Sequence, residues 1–159
     1  MNHIIVEDKL RDTNPVPVVI AFTPNYFIPA STCLYSIFAS LDIEEQMHVI
    51  CLLSEELTDR LKQKIQLIGG ERAQYSFINL QGRLQNIYID AKYTEAASYR
   101  LLLPDLLPEY DKVMYIDCDI IVRNNLVKLY RSVDLGNHYL AAVFEAPMDF
   151  QLGHLKAIG

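Results

Sequence analysis

Val113-Met114-Tyr115-Ile116-Asp117-Cys118-Asp119-Ile120-Ile121-Val122 is the stretch on which the reading of this chain turns. The apolar residues on both sides of Asp117-Cys118-Asp119 predict a buried β-strand. Each carboxylate placed inside such a strand would cost roughly several kcal/mol in lost hydration unless something compensated it. In an extended chain, residues two apart project to the same face. Asp117 and Asp119 are therefore expected to converge on one point, with Cys118 facing away. A hard divalent cation, Mn²⁺ or Mg²⁺, is the natural occupant, because such ions prefer oxygen ligands. The competing reading is an incidental pair, in which one Asp caps the next turn and the other pairs with Arg123 or Arg100.

Outward from this run, apolar strands alternate with helical patterns. Val18 to Phe22 reads as a first strand, broken by the turn Thr23-Pro24-Asn25-Tyr26. Pro29 suits the first turn of a helix carrying Cys33, Leu34, Ile37, Phe38 and Leu41. Val49 to Leu53 reads as a second strand. Ser54, with Glu55 and Glu56, reads as the cap of a helix whose apolar face is Leu57, Leu61, Ile65 and Ile68 and which ends at Gly69-Gly70. Tyr75 to Leu80 is a third candidate strand, and a polar connection runs to Tyr93. Thr94 is expected to cap a helix to Leu103, stopped by Pro104. Val113 to Asp117 is the fourth strand, Asn124 to Tyr130 a short helix, and Tyr139 to Phe144 a fifth strand. The alternation predicts an α/β fold with a mostly parallel sheet flanked by helices. Residues 1–15 read as a polar arm and 16–159 as one domain. Ligands of such sheets gather at the carboxyl ends of strands. Thr23 to Tyr26 and Asp117 to Asp119 both fall there. The sequence has no P-loop and no G-x-G-x-x-G, which argues against a standard dinucleotide-binding or P-loop enzyme.

The 159 residues suffice for one domain with a real core. The net charge of −6 and the lack of a Lys/Arg cluster argue against a general nucleic-acid surface. An anionic ligand must then be met by local positive groups or a metal. Cys33, Cys51 and Cys118 are odd in number and form no C-x-x-C. They read as buried thiols of a reducing compartment. Met1 to Asn14 does not read as a signal peptide, and no apolar run approaches membrane-spanning length. The expected location is cytoplasmic, peripheral at the inner membrane face for a complete enzyme.

A wider pattern surrounds the acidic pair. Ser98-Tyr99-Arg100-Leu101-Leu102-Leu103-Pro104-Asp105-Leu106-Leu107-Pro108 leads into Tyr110-Asp111-Lys112 and the strand. Leu126, Leu129-Tyr130, Asp134-Leu135 and Ala141-Ala142-Val143 follow, and the opening strand is followed by Asn25-Tyr26. Over about residues 16–159 this collection resembles glycosyltransferase family 8. That family comprises retaining sugar transferases and includes bacterial lipopolysaccharide glucosyl- and galactosyltransferases. The resemblance implies a GT-A (Rossmann-like) domain, a UDP-sugar donor and transfer of a hexose to a glycan or lipopolysaccharide acceptor. It implies that Asp119 holds Mn²⁺ or Mg²⁺ and that Asp117 shares the metal and approaches the donor ribose. Asn25 and Tyr26 match the loop that holds the nucleoside; the plain alternative is a polar turn and a core aromatic. Arg100 matches a basic residue that reaches the donor; the alternative is a surface ion pair with Glu95 or Asp105. Glu145 falls where similar proteins carry an acidic residue near the acceptor, against the alternative of a solvated strand end. Cys118 is expected to pack rather than to bind metal.

The sequence also departs from that pattern. Position 23 is Thr where many relatives have Asp facing the base, although Thr can still accept a hydrogen bond. Relatives continue into a segment of the type His-x-x-Gly-x-x-Lys-Pro-Trp that supplies a third metal ligand. This sequence has no Trp, and His154 to Gly159 does not reproduce the segment. The expectation is thus the amino-terminal, donor-binding portion of such an enzyme, truncated at its C-terminal side. Self-association through an exposed sheet edge or apolar patch is a further expectation. The rival readings are a nucleotide-binding but catalytically incomplete module, a haloacid-dehalogenase-type phosphatase using Asp117 as nucleophile, and a structural domain in which the pair is incidental.

Overall fold

The computed structural model describes residues 14–84 and 95–143. Four strands form one sheet: β1 (Val16–Phe22), β2 (Met47–Leu53), β3 (Ala73–Asn79) and β4 (Met114–Asp117). Their order is β3-β2-β1-β4, and every neighbouring pair is parallel. β1 begins two residues before Val18 and includes Pro17. Pro17 pairs with His48, whereas β4 joins only from Val18. The proline that lacks an N–H therefore sits where the strand has one neighbour.

The two faces of β1 feed separate cores, as a period of two requires. Val18, Ile20 and Phe22 pack with Cys33, Leu34, Ile37 and Phe38 of helix α1 (Phe27–Ser40). Ile65 of helix α2 (Asp59–Gln66) and Leu126 and Val127 of helix α5 (Leu126–Ser132) join this cluster. Val19 and Ala21 pack on the other face with Ile50, Leu52, Tyr99 and Leu107. Helices thus cover both faces, the arrangement that an all-parallel sheet needs.

Several boundaries differ from expectation. The helix read from Ser54 begins at Asp59, after Thr58. Leu57 is buried, so the chain first carries that side chain into the core and turns helical afterwards. The helix read from Thr94 to Leu103 is three short pieces: α3 (Glu95–Ser98), a 3-10 turn (Tyr99–Leu102) and α4 (Leu103–Leu106). Thr94 itself lies outside the described residues. Pro104 lies in the first turn of α4 rather than stopping a helix, because a first turn does not use the N–H that proline lacks. Residues 139–143 form no strand, and Tyr139, Leu140 and Val143 are exposed. The run has strand-like composition, but among the described residues no strand pairs with it to complete a ladder. Phe144 lies outside the described residues, as do the polar arm over 1–13, Glu145 and His154.

The short helix expected near Asn124 is α5. Asn125 caps it, its side chain accepting from the Lys128 N–H at 3.0 Å. The same side chain donates to Glu45 Oε2 at 2.6 Å. Asn125→Ala should cost about 0.5–2 kcal/mol, the range for loss of a cap. Urea unfolding monitored by circular dichroism checks it; a midpoint unchanged from the parent would show that the cap contributes nothing.

Candidate functional site

The strand order places β2 on one side of β1 and β4 on the other. The connections reverse direction there, and the crevice outside the carboxyl ends of β1 and β4 is the topological switch point. Ala21 pairs with Asp117 in the last paired row of β1 and β4. Thr23 to Tyr26 therefore leave β1 beside the point where Asp117 to Asp119 leave β4. Two segments far apart in sequence are brought together, as expected.

On the β1 side, Pro24–Tyr26 form a 3-10 turn, closed by the Tyr26 N–H donating to the Thr23 carbonyl at 2.9 Å. Asn25 and Tyr26 are exposed, so Tyr26 is not the core aromatic of the plain reading. Ser54 lies one residue past β2, beside the end of β1. Its Oγ is buried and has no hydrogen-bond partner among the described residues. Cap chemistry in the sequence concealed this position; the signal was the apolar strand running straight into it.

On the β4 side, the strand ends at Asp117 and does not continue through Asp119 to Val122. β1 ends at Phe22 and offers no further partner. Ile120 and Ile121 are exposed, which corrects the expectation of a buried flank on that side. Asp117 and Asp119 are exposed and Cys118 is buried, which preserves the expected alternation. The carboxylates thus keep their hydration, and the desolvation cost argued from the sequence does not arise.

Helix α1 holds this segment from below. The Cys33 thiol lies 3.8 Å from the Asp117 carbonyl, to which it donates. Ser36 Oγ accepts from the Val122 N–H at 2.9 Å, and Ser40 Oγ donates to the Asn124 carbonyl at 3.2 Å. These three residues sit at roughly helical spacing on one face of α1. Burial pushes the Cys33 thiol up to about 11, with Cys118 a smaller contributor. Cys118 is likewise raised to about 11, by burial first and by the Asp119 charge second. Both remain protonated near neutral pH and are poor metal ligands.

Arg100 stands over the pair. It pairs with neither Glu95 nor Asp105 but approaches Asp117, Nη2 to Oδ1 at 3.7 Å. Its Nε donates to the Ala97 carbonyl at 2.7 Å, and its guanidinium carbon lies 4.9 Å from the centroid of the Tyr115 ring. Among the described residues no cluster of three or more His, Cys, Asp or Glu could hold a metal. Two exposed carboxylates two residues apart nonetheless have the chemistry to hold a hard cation that also takes phosphate oxygens from its ligand. The sequence assigns no third ligand, and residues 144–159 lie outside the described residues.

A cavity of about 650 Å³ opens at the opposite, amino end of the sheet, beside His48, Tyr110 and Lys112. His48, Tyr110 and Lys112 in its lining are already paired. His48 bonds the Tyr110 hydroxyl at 2.5 Å and Ser76 Oγ at 2.8 Å, and Lys112 Nζ donates to the carbonyls of Tyr130 and Val133. Burial lowers the His48 pKa. This is a satisfied structural cleft, remote from the acidic pair.

The parallel sheet with helices on both faces matches the fold of solved GT-A type glycosyltransferases. The chain belongs to glycosyl transferase family 8, whose sequence model matches residues 17–156. It is 30% identical over 106 residues to glycosyltransferase GlyE of Streptococcus pneumoniae serotype 4 (strain ATCC BAA-334 / TIGR4), covering 65% of this chain and 26% of that protein. The fold is similar to that of WbbM, a bifunctional glycosyltransferase, with TM-score 0.75, 25% identity and coverage of 97% of this chain and 26% of WbbM. It is also similar to the galactosyltransferase LgtC in complex with donor and acceptor sugar analogues. That likeness, with TM-score 0.69 and 24% identity over 91% of this chain and 52% of LgtC, is one of fold. The chain thus spans about a quarter of GlyE and WbbM and about half of LgtC. No helix among the described residues is long and apolar enough to cross a membrane.

Proposed function

We propose that this chain is the donor-binding part of a metal-dependent hexosyltransferase. The donor is a UDP-sugar, and the sugar passes to a glycan or lipopolysaccharide acceptor with retention of configuration. The observation that carries the reading is the meeting of Thr23–Tyr26 and Asp117–Asp119 at one switch point. Asp117 and Asp119 hold Mn²⁺ or Mg²⁺. When bound, the cation offsets the charge that develops on the leaving diphosphate. Tyr26 offers an exposed ring face to the uracil, and Asn25 and Thr23 supply hydrogen-bonding groups to base or ribose. Asp117 also approaches the ribose, and Arg100 meets the donor's phosphates or sugar hydroxyls. The Ser54 hydroxyl adds a further polar group at the end of β2. Glu145 is assigned to the acceptor side by family resemblance alone. The free, buried thiols of Cys33, Cys51 and Cys118 suit a reducing, cytoplasmic location, peripheral at the inner membrane face for a complete enzyme. Among the described residues β4 is an edge strand and Tyr139, Leu140 and Val143 are exposed, which supports burial against further protein, a second copy included.

The test is a thermal-shift titration with UDP, in Mn²⁺ and after chelation. A ligand at a hundred times its dissociation constant should stabilise the fold by about 2.7 kcal/mol. A rise that needs both UDP and Mn²⁺ is expected; no rise with UDP in folded protein would end the donor-site reading. The second reading is a nucleotide-binding module without transfer; among the described residues no third His, Cys, Asp or Glu joins the acidic pair in a metal-holding cluster. UDP binding with no donor hydrolysis and no transfer would decide for it.

A further inference from the structure

We propose that Arg100 is the counter-ion of Asp117, and that it exchanges Asp117 for the donor's diphosphate when a divalent cation binds. The inference rests on the donor-site reading above. Two contacts hold the Arg100 side chain independently of Asp117: the Ala97 carbonyl at 2.7 Å from Nε and the Tyr115 ring at 4.9 Å from the guanidinium carbon. The third contact, to Asp117 Oδ1, is 3.7 Å, too long for a hydrogen bond. Both side chains in that pair are about half exposed, at 47% and 59%. Asp117 is therefore paired by charge alone, through water-rich surroundings, and such a pair is readily exchanged.

The consequence is a pair of effects of opposite sign. Without nucleotide, a guanidinium beside Asp117 repels an incoming cation and competes for the carboxylate. With nucleotide, the same guanidinium is free to take up the negative charge of the diphosphate. Arg100 thus weakens metal binding alone and strengthens metal-dependent donor binding, so that cation and nucleotide bind together rather than separately. Tyr115 acts as a positioning residue, keeping the guanidinium at the site in both states.

The experiment measures Mn²⁺ binding without nucleotide by electron paramagnetic resonance, and UDP binding at saturating Mn²⁺ by calorimetry. The proteins are the wild type, Arg100→Gln, Arg100→Lys and Asp119→Asn, each checked for folding by circular dichroism. Arg100→Gln should bind Mn²⁺ alone about fivefold more tightly, which converts to about 1 kcal/mol. It should bind UDP about tenfold more weakly, the scale of a charge-assisted hydrogen bond. Arg100→Lys, which keeps the charge, should hold Mn²⁺ alone near the wild-type affinity. Mn²⁺ affinity unchanged or reduced in Arg100→Gln overturns the exchange while UDP binding by the wild type leaves the donor site standing. If no protein binds Mn²⁺ or UDP and Asp119→Asn matches the wild type, the exchange and the donor-site reading fall together.

Discussion

Asp119→Asn will lose most of the stabilisation that UDP and Mn²⁺ confer together. Asparagine keeps the size of the side chain and removes its charge. Asp119 is exposed, so the unliganded fold should change by no more than about 0.5 kcal/mol. The effect is expected on the ligand instead. A hundredfold loss of affinity, at a ligand level a hundred times the parent's dissociation constant, would cut the stabilisation from about 2.7 to about 0.4 kcal/mol. For a domain of this size each kcal/mol moves the melting temperature by about 2–4 °C. The parent should therefore rise by about 5–10 °C and the variant by about 1 °C. An equal rise in both proteins would remove Asp119 from the metal site and leave the acidic pair without a function.

Gly69→Ala should destabilise the fold by about 2–5 kcal/mol, from two sources that reinforce one another. Gly69 follows α2 with φ +84°, a conformation that an L side chain adopts only at a cost of about 1–2 kcal/mol. A Cβ at this position would also stand 2.8 Å from three atoms of the Phe38 ring. That ring is buried in the core between α1 and the sheet and cannot swing into solvent. Overpacking of this kind adds about 1–3 kcal/mol. Gly136 supplies the matched comparison. Its φ is +51°, but a Cβ there would meet nothing within 4 Å, so Gly136→Ala should cost about 1–2 kcal/mol. Denaturant midpoints of the two variants separate conformation from crowding. Equal losses would mean that Phe38 yields freely and that the contact carries no energy.

The strands of the sheet are legible in the sequence because a parallel sheet covered on both faces demands continuous apolar runs. Val18 to Phe22 and Val49 to Leu53 are such runs, and each lies inside the observed strand. The same logic misleads at Ile120-Ile121-Val122 and at residues 139–143. Their composition suits a strand, but a strand also needs a partner, and partners are set by distant parts of the chain. Ser54 is a third instance. Ser-Glu-Glu has the chemistry of a helix start, but the burial of Leu57 three residues later decides the local path. At the site, the convergence of two segments followed from their shared place at strand ends. The pairing of Arg100 with Asp117 was legible only as one alternative, under the incidental-pair reading, beside Glu95 and Asp105. Glu95 and Asp105 are near in sequence, whereas Asp117 is brought alongside by the packing of Tyr99 and its neighbours on β1 and β2. Side-chain meetings between elements are the part that local pattern does not carry.

The parallel pairing of β1 with β4 also sets an order in time. β1 and β2, and β2 and β3, are joined by short connections and can pair as soon as those segments exist. Ala21 and Asp117 are separated by roughly a hundred positions, and the entropy of closing such a loop delays their pairing. The chain is therefore expected to commit the Thr23–Tyr26 turn early and its acidic pair last. Until β4 docks, neither half has a partner at the switch point. A chain caught partway through folding carries most of its sheet and none of its assembled site, so occupancy by ligand reports completion of the fold and not merely its onset.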